Sequence, residues 1–222
     1  MKFTFDDENG INAVKLTPSH VQLLRSMISS NESIKNVIIG GEKLGYDAVS
    51  ILNEINAKAK IHNEYGPTEA TVGCAVKTVA GQGITIGSPI ANTKIYVLNE
   101  SRTLQPIGAM GELYISGHGL AKEYMNRTEL TTSKFVDNPF EEGSKMYKTG
   151  DRGRWLPNGE LAFIGRIDEQ VKIRGYRIEL GEIEAAFSKS VRNLEHSVAE
   201  VKTVAGEKSI VMYYVAEDTL DP

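Results

Sequence analysis

Asn63-Glu64-Tyr65-Gly66-Pro67-Thr68-Glu69 is the stretch on which the reading of this chain turns. It follows a segment that ends in the apolar Ile61, and it gathers a carboxamide, two carboxylates, an aromatic ring and a hydroxyl in one Gly-Pro turn. A ring can stack on a base, a hydroxyl can hold a phosphate oxygen, and a carboxylate can bind a hard divalent cation. The inventory is nucleotide-shaped. An ordinary surface turn draws on the same Asn, Gly and Pro, so the string alone leaves both readings open.

Upstream of it, Ile11 to Leu16 is short and apolar enough for a buried strand. Thr17 then caps a helix that opens at Pro18 and continues through Val21, Leu24 and Ile28. Val37 to Ile39 reads as a second buried strand, broken by Gly40-Gly41, and the next helix puts Ala48, Leu52, Ile55 and Ala59 on one face. Ala59 to His62 leads into the key turn. Alternation of strand and helix predicts a parallel, helix-covered sheet with ligand sites at strand ends. Lys15 interrupts the first strand; it either snorkels from an edge or pairs with a carboxylate, for which Glu64 is the candidate.

Between about Thr78 and Phe163 the texture becomes all-β. Thr93 to Leu98, Gly111 to Ser116 and Glu160 to Ile164 alternate or are β-branched, with turns at Gly87-Ser88-Pro89, Pro106-Ile107-Gly108 and Pro157-Asn158-Gly159. Leu120 to Asn126 and Thr128 to Phe135 are expected as short helical or irregular insertions. Tyr147-Lys148-Thr149-Gly150-Asp151 sets a carboxylate just past a glycine, where it can accept from a sugar diol. His118 either lines the same cleft or faces solvent. After Gly165-Arg166-Ile167-Asp168, a hairpin around Gly175 is predicted from Gln170 to Ile178, with a helix near Glu182 that turns Ile183, Ala186, Phe187 and Val191 inward. Two strands, Ser197 to Thr203 and Lys208 to Val215, close the chain around Gly206. That is a thin core for an independent domain.

Composition excludes several classes. The 222 residues carry a formal net charge of -4 with no basic aromatic stripe, which argues against a nucleic-acid partner. No run approaches the roughly 20 apolar residues of a membrane span. Cys74 is the only cysteine, so no disulfide forms within one chain, and its small apolar neighbours mark it as a core residue. Asp6, Asp7 and Glu8 stand where a signal peptide needs basic and then apolar residues, so a cytoplasmic location is expected.

Taken together, the ordered strings resemble the adenylate-forming enzymes, most closely the amino-acid-activating adenylation domains of nonribosomal peptide synthetases. The matching strings are Asn63 to Glu69, Gly111-Glu112-Leu113-Tyr114-Ile115-Ser116-Gly117-His118-Gly119-Leu120-Ala121, Tyr147 to Asp151, and Gly165 through Gln170-Val171-Lys172-Ile173-Arg174-Gly175 to Glu184. The resemblance implies an α/β fold with a β-barrel subdomain and a small α+β C-terminal subdomain. Its divisions would fall at residues 1–77, 78–166 and 167–222. In such enzymes a carboxylate attacks the α-phosphorus of Mg-ATP, and the acyl group then passes to the phosphopantetheine thiol of a carrier domain. By resemblance Tyr65 stacks on adenine, Thr68 touches phosphate, Glu69 holds Mg²⁺, Gly41 and Glu64 lie at the nucleotide, Asp151 takes the ribose hydroxyls with Arg166 beside it, and Asp168 is the hinge.

The same resemblance places Lys15, Ile38, Gly40, Glu64, Val72 and Gly73 at the amino-acid side chain, a combination similar to asparagine-activating pockets. Lys15 can donate to the amide oxygen while Glu64 accepts from the amide nitrogen; a structural ion pair beside another substrate is the alternative. The implied partners are the carrier and condensation domains of a synthetase. The family's Gly/Ser/Thr-rich phosphate loop lies upstream of anything in this sequence, and its catalytic lysine lies downstream of Pro222. The chain is therefore expected to be an internal to C-terminal piece of a larger, truncated adenylate-forming fold, inactive by itself. Two other readings share the nucleotide strings: a piece of an acyl- or aryl-CoA ligase, which the form of Gln170 to Glu184 and the charged pocket disfavour, and a non-catalytic remnant or interaction module.

Overall fold

Three parallel strands set the frame, each entered from a helix or loop whose sequence dictates the turn. The computed structural model describes residues 10–25, 27–28, 30, 32–81, 83–168, 170–191, 193–204 and 207–216. Strand β1 (Ala13–Leu16) leads into helix α1 (Pro18–Leu24), β2 (Asn36–Ile39) into α2 (Tyr46–Ile55), and β3 (Lys60–Tyr65) ends in the key stretch. Thr17 caps α1: its Oγ1 accepts from the His20 N–H at 3.2 Å, and its own N–H donates to His20 Nδ1 at 3.2 Å. Pro18 has no N–H to leave unsatisfied at that position.

β1, β2 and β3 pair in parallel, with Lys15 beside Ile38 and Ile38 beside His62. Val14, Val37, Ile39 and Ile61 pack with Val21 and Leu24 of α1 and Ala48, Ile51, Leu52 and Ile55 of α2 in one buried cluster. Each of the Val, Leu and Ile side chains is worth about 1.5–3 kcal/mol when fully withdrawn from water. Because strand side chains alternate, Lys15, Ile38, His62 and Glu64 face away from that core. The helices thus leave one face of the sheet to the polar residues.

Beyond β3 the chain turns through Gly66-Pro67 and a 3-10 segment at Thr68–Ala70, then returns antiparallel as β4 (Ala75–Thr78), which pairs with the short β5 (Ser88–Pro89). Gly66 is obligatory, since a Cβ there would lie 1.8 Å from the Val72 carbonyl oxygen. A second, curled antiparallel sheet follows: β6 (Thr93–Leu98), β7 (Gly111–Gly117), helix α3 (Thr128–Lys134), β8 (Phe135–Asp137), β9 (Lys145–Trp155) and β10 (Leu161–Arg166), ordered β10-β9-β7-β6 with β8 on β9. Its Ile95, Val97, Leu113, Ile115 and Leu161 share a core with Ala70, Cys74, Ala75 and Ile86. The turn after β3 is thereby seated on the second sheet.

The residues fall into two compact units, one through Ile167 and the other from Asp168. In the second, β11 (Val171–Ile173) and β12 (Tyr176–Ile178) join through Arg174 and Gly175, both at positive φ (53° and 80°), as a two-residue hairpin turn with the sheet's own twist requires. Helix α4 (Leu180–Ser190) precedes the long hairpin of β13 (Leu194–Val204) and β14 (Glu207–Ala216). Only Gln170, Leu180 and Ala199 are buried among the described residues of this unit.

Several expectations are corrected. Asn63, Glu64 and Tyr65 belong to a strand, not to the turn that follows it. α2 ends at Ile55, leaving Ala59 outside its apolar face; Tyr147 to Asp151 lies inside an 11-residue strand whose run of buried positions hides the alternation. Ala186 is exposed and Val191 stands just past the end of α4. The first sheet runs through β4 to Pro89, across the division expected at residue 78, because β5 pairs with β4. Glu169 and Gly206 lie outside the described residues, as does the acidic stretch at residues 6–8.

Two predictions follow from this packing. Glu160 accepts from Lys77 Nζ and, at 2.8 Å, from Thr85 Oγ1, and these donors, Lys77 first, hold its carboxyl below the ordinary 4.5. A depressed folded-state value contributes stability above 4.5 that is lost as the pH falls through it. Glu160→Gln is expected to cost about 1–2 kcal/mol at pH 7 in chemical denaturation, with the gap to the unmodified chain closing in acid. Cys74 is 1% exposed, and burial pushes its thiol up to about 12. At pH 8 it should react with a disulfide reagent only on unfolding; reaction of the native chain at a free-thiol rate would contradict the packing.

Candidate functional site

Consecutive residues at the end of β3 send their side chains to two different groups. Tyr65 reaches the second sheet: its hydroxyl donates to Asp151 Oδ2 at 2.5 Å, and its ring lies 6.1 Å from that of Phe163. Arg166, at the end of β10, donates from Nη1 to Asp151 Oδ1 at 2.8 Å. Asp151 is 7% exposed, and its N–H donates to Thr149 Oγ1, which in turn donates to the Leu113 carbonyl at 2.7 Å. A buried carboxylate needs such partners. Burial, and then the Asp151 charge, push the Tyr65 phenol well above its ordinary value, so it stays a donor.

Glu64 takes the other direction and forms an ion pair with Lys15 Nζ across β2. Its carboxylate fits between two glycines: a Cβ at Gly73 would stand 2.5 Å from Glu64 Oε1, and one at Gly40 3.3 Å from Oε2. The glycines make the space the acid fills. Lys15 is 49% exposed and Glu64 18%, so the pair is open on the lysine side. Ile38 flanks Lys15 in register. Val72 is exposed and, like Thr71 before it, has a positive φ (67° and 58°), an uncommon conformation for a β-branched residue that costs about 1–3 kcal/mol.

After β3, Thr68 opens the 3-10 segment and is exposed, whereas Glu69 is 7% exposed. Tyr124 donates to Glu69 Oε1 at 2.5 Å; burial first, and then that hydrogen bond, raise the Tyr124 phenol above its ordinary value. The Ala121 N–H donates to the Glu69 carbonyl at 2.8 Å, and Thr71 Oγ1 donates to the Gly119 carbonyl at 2.5 Å. Among the described residues no three His, Cys, Asp or Glu side chains converge on a metal-sized site. A single carboxylate suits Mg²⁺, which takes one or two protein oxygens and completes its shell with phosphate and water.

The structure therefore brings Tyr65, Asp151 and Arg166 together as one group and Lys15, Gly40, Glu64 and Gly73 as another. Gly41 follows β2 at a φ of 85°. His118 is exposed, its N–H held by the Asn92 carbonyl. Asp168 belongs to the second unit, where its Oδ1 accepts from the Gln170 N–H at 3.3 Å. Sequence reasoning missed Tyr124, Thr149 and Phe163. Tyr124 lies in an irregular stretch without periodicity, 55 residues from its partner, and carries no local signal. Nor does any helix of the described residues have the length and apolarity to cross a membrane.

Comparison with known proteins follows the same lines. The family described as AMP-binding enzyme matches residues 4–125. Bacitracin synthase 3 of Bacillus licheniformis is 45% identical over 218 residues, and tyrocidine synthase 3 of Brevibacillus parabrevis 42% over 219. Each match covers 96% of this chain and 3% of the synthase, so the chain spans a small part of these relatives. Among solved structures, an NRPS protein containing adenylation and PCP domains superposes with a TM-score of 0.83 at 29% identity, over 95% of this chain and 44% of that one. A four-domain nonribosomal peptide synthetase bound to AMP and glycine gives 0.65 at 38% identity, over 95% of this chain and 16% of that one. The family match takes in more than half of the sequence, and the chain belongs to the AMP-binding enzymes, as adenylation-domain sequence of the nonribosomal peptide synthetase kind.

Proposed function

We propose that these residues recognise the nucleotide and the amino acid in an ATP-dependent adenylation, with asparagine as the amino acid. In that reaction a carboxylate oxygen of the amino acid attacks the α-phosphorus of ATP. A C–O–P linkage forms, the bond to the β-phosphate oxygen breaks, and pyrophosphate leaves. The aminoacyl group then moves to the phosphopantetheine thiol of a carrier domain, with condensation domains as further partners in a cytoplasmic synthetase. Such chemistry asks the protein for positioning and charge neutralisation more than for a nucleophilic side chain.

The observation that carries this reading is the convergence of Tyr65 and Arg166 on buried Asp151. Tied by its hydroxyl, the Tyr65 ring is held for stacking on adenine. Each carboxylate oxygen has two lone pairs, so Asp151 can take ribose hydroxyls alongside its protein donors, with the Arg166 guanidinium 2.8 Å from Oδ1. Gly41 leaves backbone near the nucleotide, Thr68 reaches a phosphate oxygen, and Glu69 supplies one oxygen to Mg²⁺, the ion that neutralises phosphate charge when bound. Asp168 serves as the hinge between the two half-reactions.

For the side chain, Lys15 and Glu64 form a donor and acceptor pair matched to a carboxamide. Ile38, Gly40, Val72 and Gly73 shape the space around it. Aspartate would oppose a second carboxylate to Glu64, whereas glutamine differs by one methylene, worth about 1–3 kcal/mol. The 222 residues hold no Gly/Ser/Thr-rich phosphate loop, so they are expected to be silent alone. The test is amino-acid-dependent ATP/pyrophosphate exchange by the intact polypeptide that carries this sequence. Exchange should be strongest with asparagine, about 10- to 200-fold weaker with glutamine, and lost on Glu64→Gln. Preference for a hydrophobic amino acid or a fatty acid would overturn the pocket assignment.

A further inference from the structure

Helix α3 buries none of its residues, so packing of an apolar face does not explain its place. What it does is hold one tyrosine. Thr131 Oγ1, in the middle of α3, accepts from the Tyr124 N–H at 2.9 Å and donates to the Tyr124 carbonyl at 3.5 Å, while the Arg127 N–H donates to that same carbonyl at 3.1 Å. Both main-chain polar groups of Tyr124 are thus fixed. Its ring meets Phe135 edge-on, with centroids 5.5 Å apart and an interplanar angle of 62°, and Phe135 packs in turn on Tyr147. The side chain has one direction left, and its hydroxyl ends on Glu69 Oε1 at 2.5 Å and 3.4 Å from the Tyr147 hydroxyl.

We infer that Tyr124 is a positioning residue for Glu69, setting the plane and orientation of the carboxylate offered to Mg²⁺. The inference rests on the reading of Glu69 as the metal ligand proposed above. Three hydrogen bonds from the Gly117 to Tyr124 segment meet the turn after β3: Ala121 N–H to the Glu69 carbonyl, the Gly119 carbonyl from Thr71, and Tyr124 to the carboxylate itself. The first two fix the backbone of the turn. Of these three, the last is the one that reaches the carboxylate oxygens. A carboxylate 7% exposed that must meet a cation in one orientation is steered by such a donor, because the last torsion of a glutamate is intrinsically soft. Partners of this kind are worth about 10- to 100-fold in metal affinity.

The test is Mn²⁺ binding, read by electron paramagnetic resonance in the presence of a non-hydrolysable ATP analogue, on the intact polypeptide carrying this sequence, with Tyr124→Phe, Glu69→Gln and the double variant. Tyr124→Phe keeps the ring on Phe135 and removes only the donor. It is expected to weaken Mn²⁺ about tenfold, with the double variant no weaker than Glu69→Gln alone. Normal Mn²⁺ affinity in Tyr124→Phe, with Glu69→Gln impaired, would overturn the positioning role and leave Glu69 as ligand. Additive losses would mean that Tyr124 acts apart from Glu69, also overturning it. Unchanged affinity in Glu69→Gln would sink the ligand assignment itself. An equal loss of analogue affinity with and without metal would assign Tyr124 to the fold alone.

Discussion

A carboxylate that is 7% exposed ties the first unit together. Asp151 sits in the central run of β9 and receives Tyr65 from the end of β3 and Arg166 from the end of β10, so one ion joins the last strand of the parallel sheet to two strands of the antiparallel one. Removing one partner of a buried, hydrogen-bonded charge costs about 3–5 kcal/mol, because the other is left uncompensated. The arrangement is demanding, and it fixes the positions of a ring, an acid and a guanidinium relative to one another. The contacts proposed for adenine and ribose depend on that fixed triangle.

The second group obeys a different constraint, which is space. Glu64 lies between Gly40 and Gly73, where a methyl group at either position would crowd its oxygens. Absence of side chains on two neighbours is what admits a carboxylate and its lysine partner on the face of the sheet that the helices leave uncovered. The strand supplies the separation between the two groups, since Glu64 and Tyr65 are consecutive and must diverge. The end of β3 therefore supplies one side chain to each of two separate groups.

Several elements of both sheets were legible because their signals are local. Thr17-Pro18 announces the start of α1, the β-branched Val37 to Ile39 announces β2, and Thr93 to Leu98 matches β6 residue for residue. Strand β9 was illegible for the converse reason: Met146, Tyr147, Thr149, Gly150 and Asp151 are all buried, so no alternation marks the run, and the glycine at a φ of 75° reads as a loop. At the site, Tyr65, Asp151 and Arg166 were grouped by family resemblance and not by any spacing, since Tyr65 and Asp151 stand 86 residues apart. Tyr124 had neither aid. Its connection to Glu69 depends on where α3 and β8 place the chain, which is tertiary information.

The measurement that bears most directly on the central claim is the affinity of the polypeptide carrying this sequence for AMP against 2′,3′-dideoxy-AMP, with and without Asp151→Asn. If Asp151 takes the ribose hydroxyls, AMP should bind about 10- to 100-fold more tightly than the dideoxy compound, as hydrogen bonds to a charged group warrant, and the substitution should erase most of that preference. Equal affinity of the unmodified protein for the two nucleotides would contradict the claim and leave Asp151 as a purely structural ion.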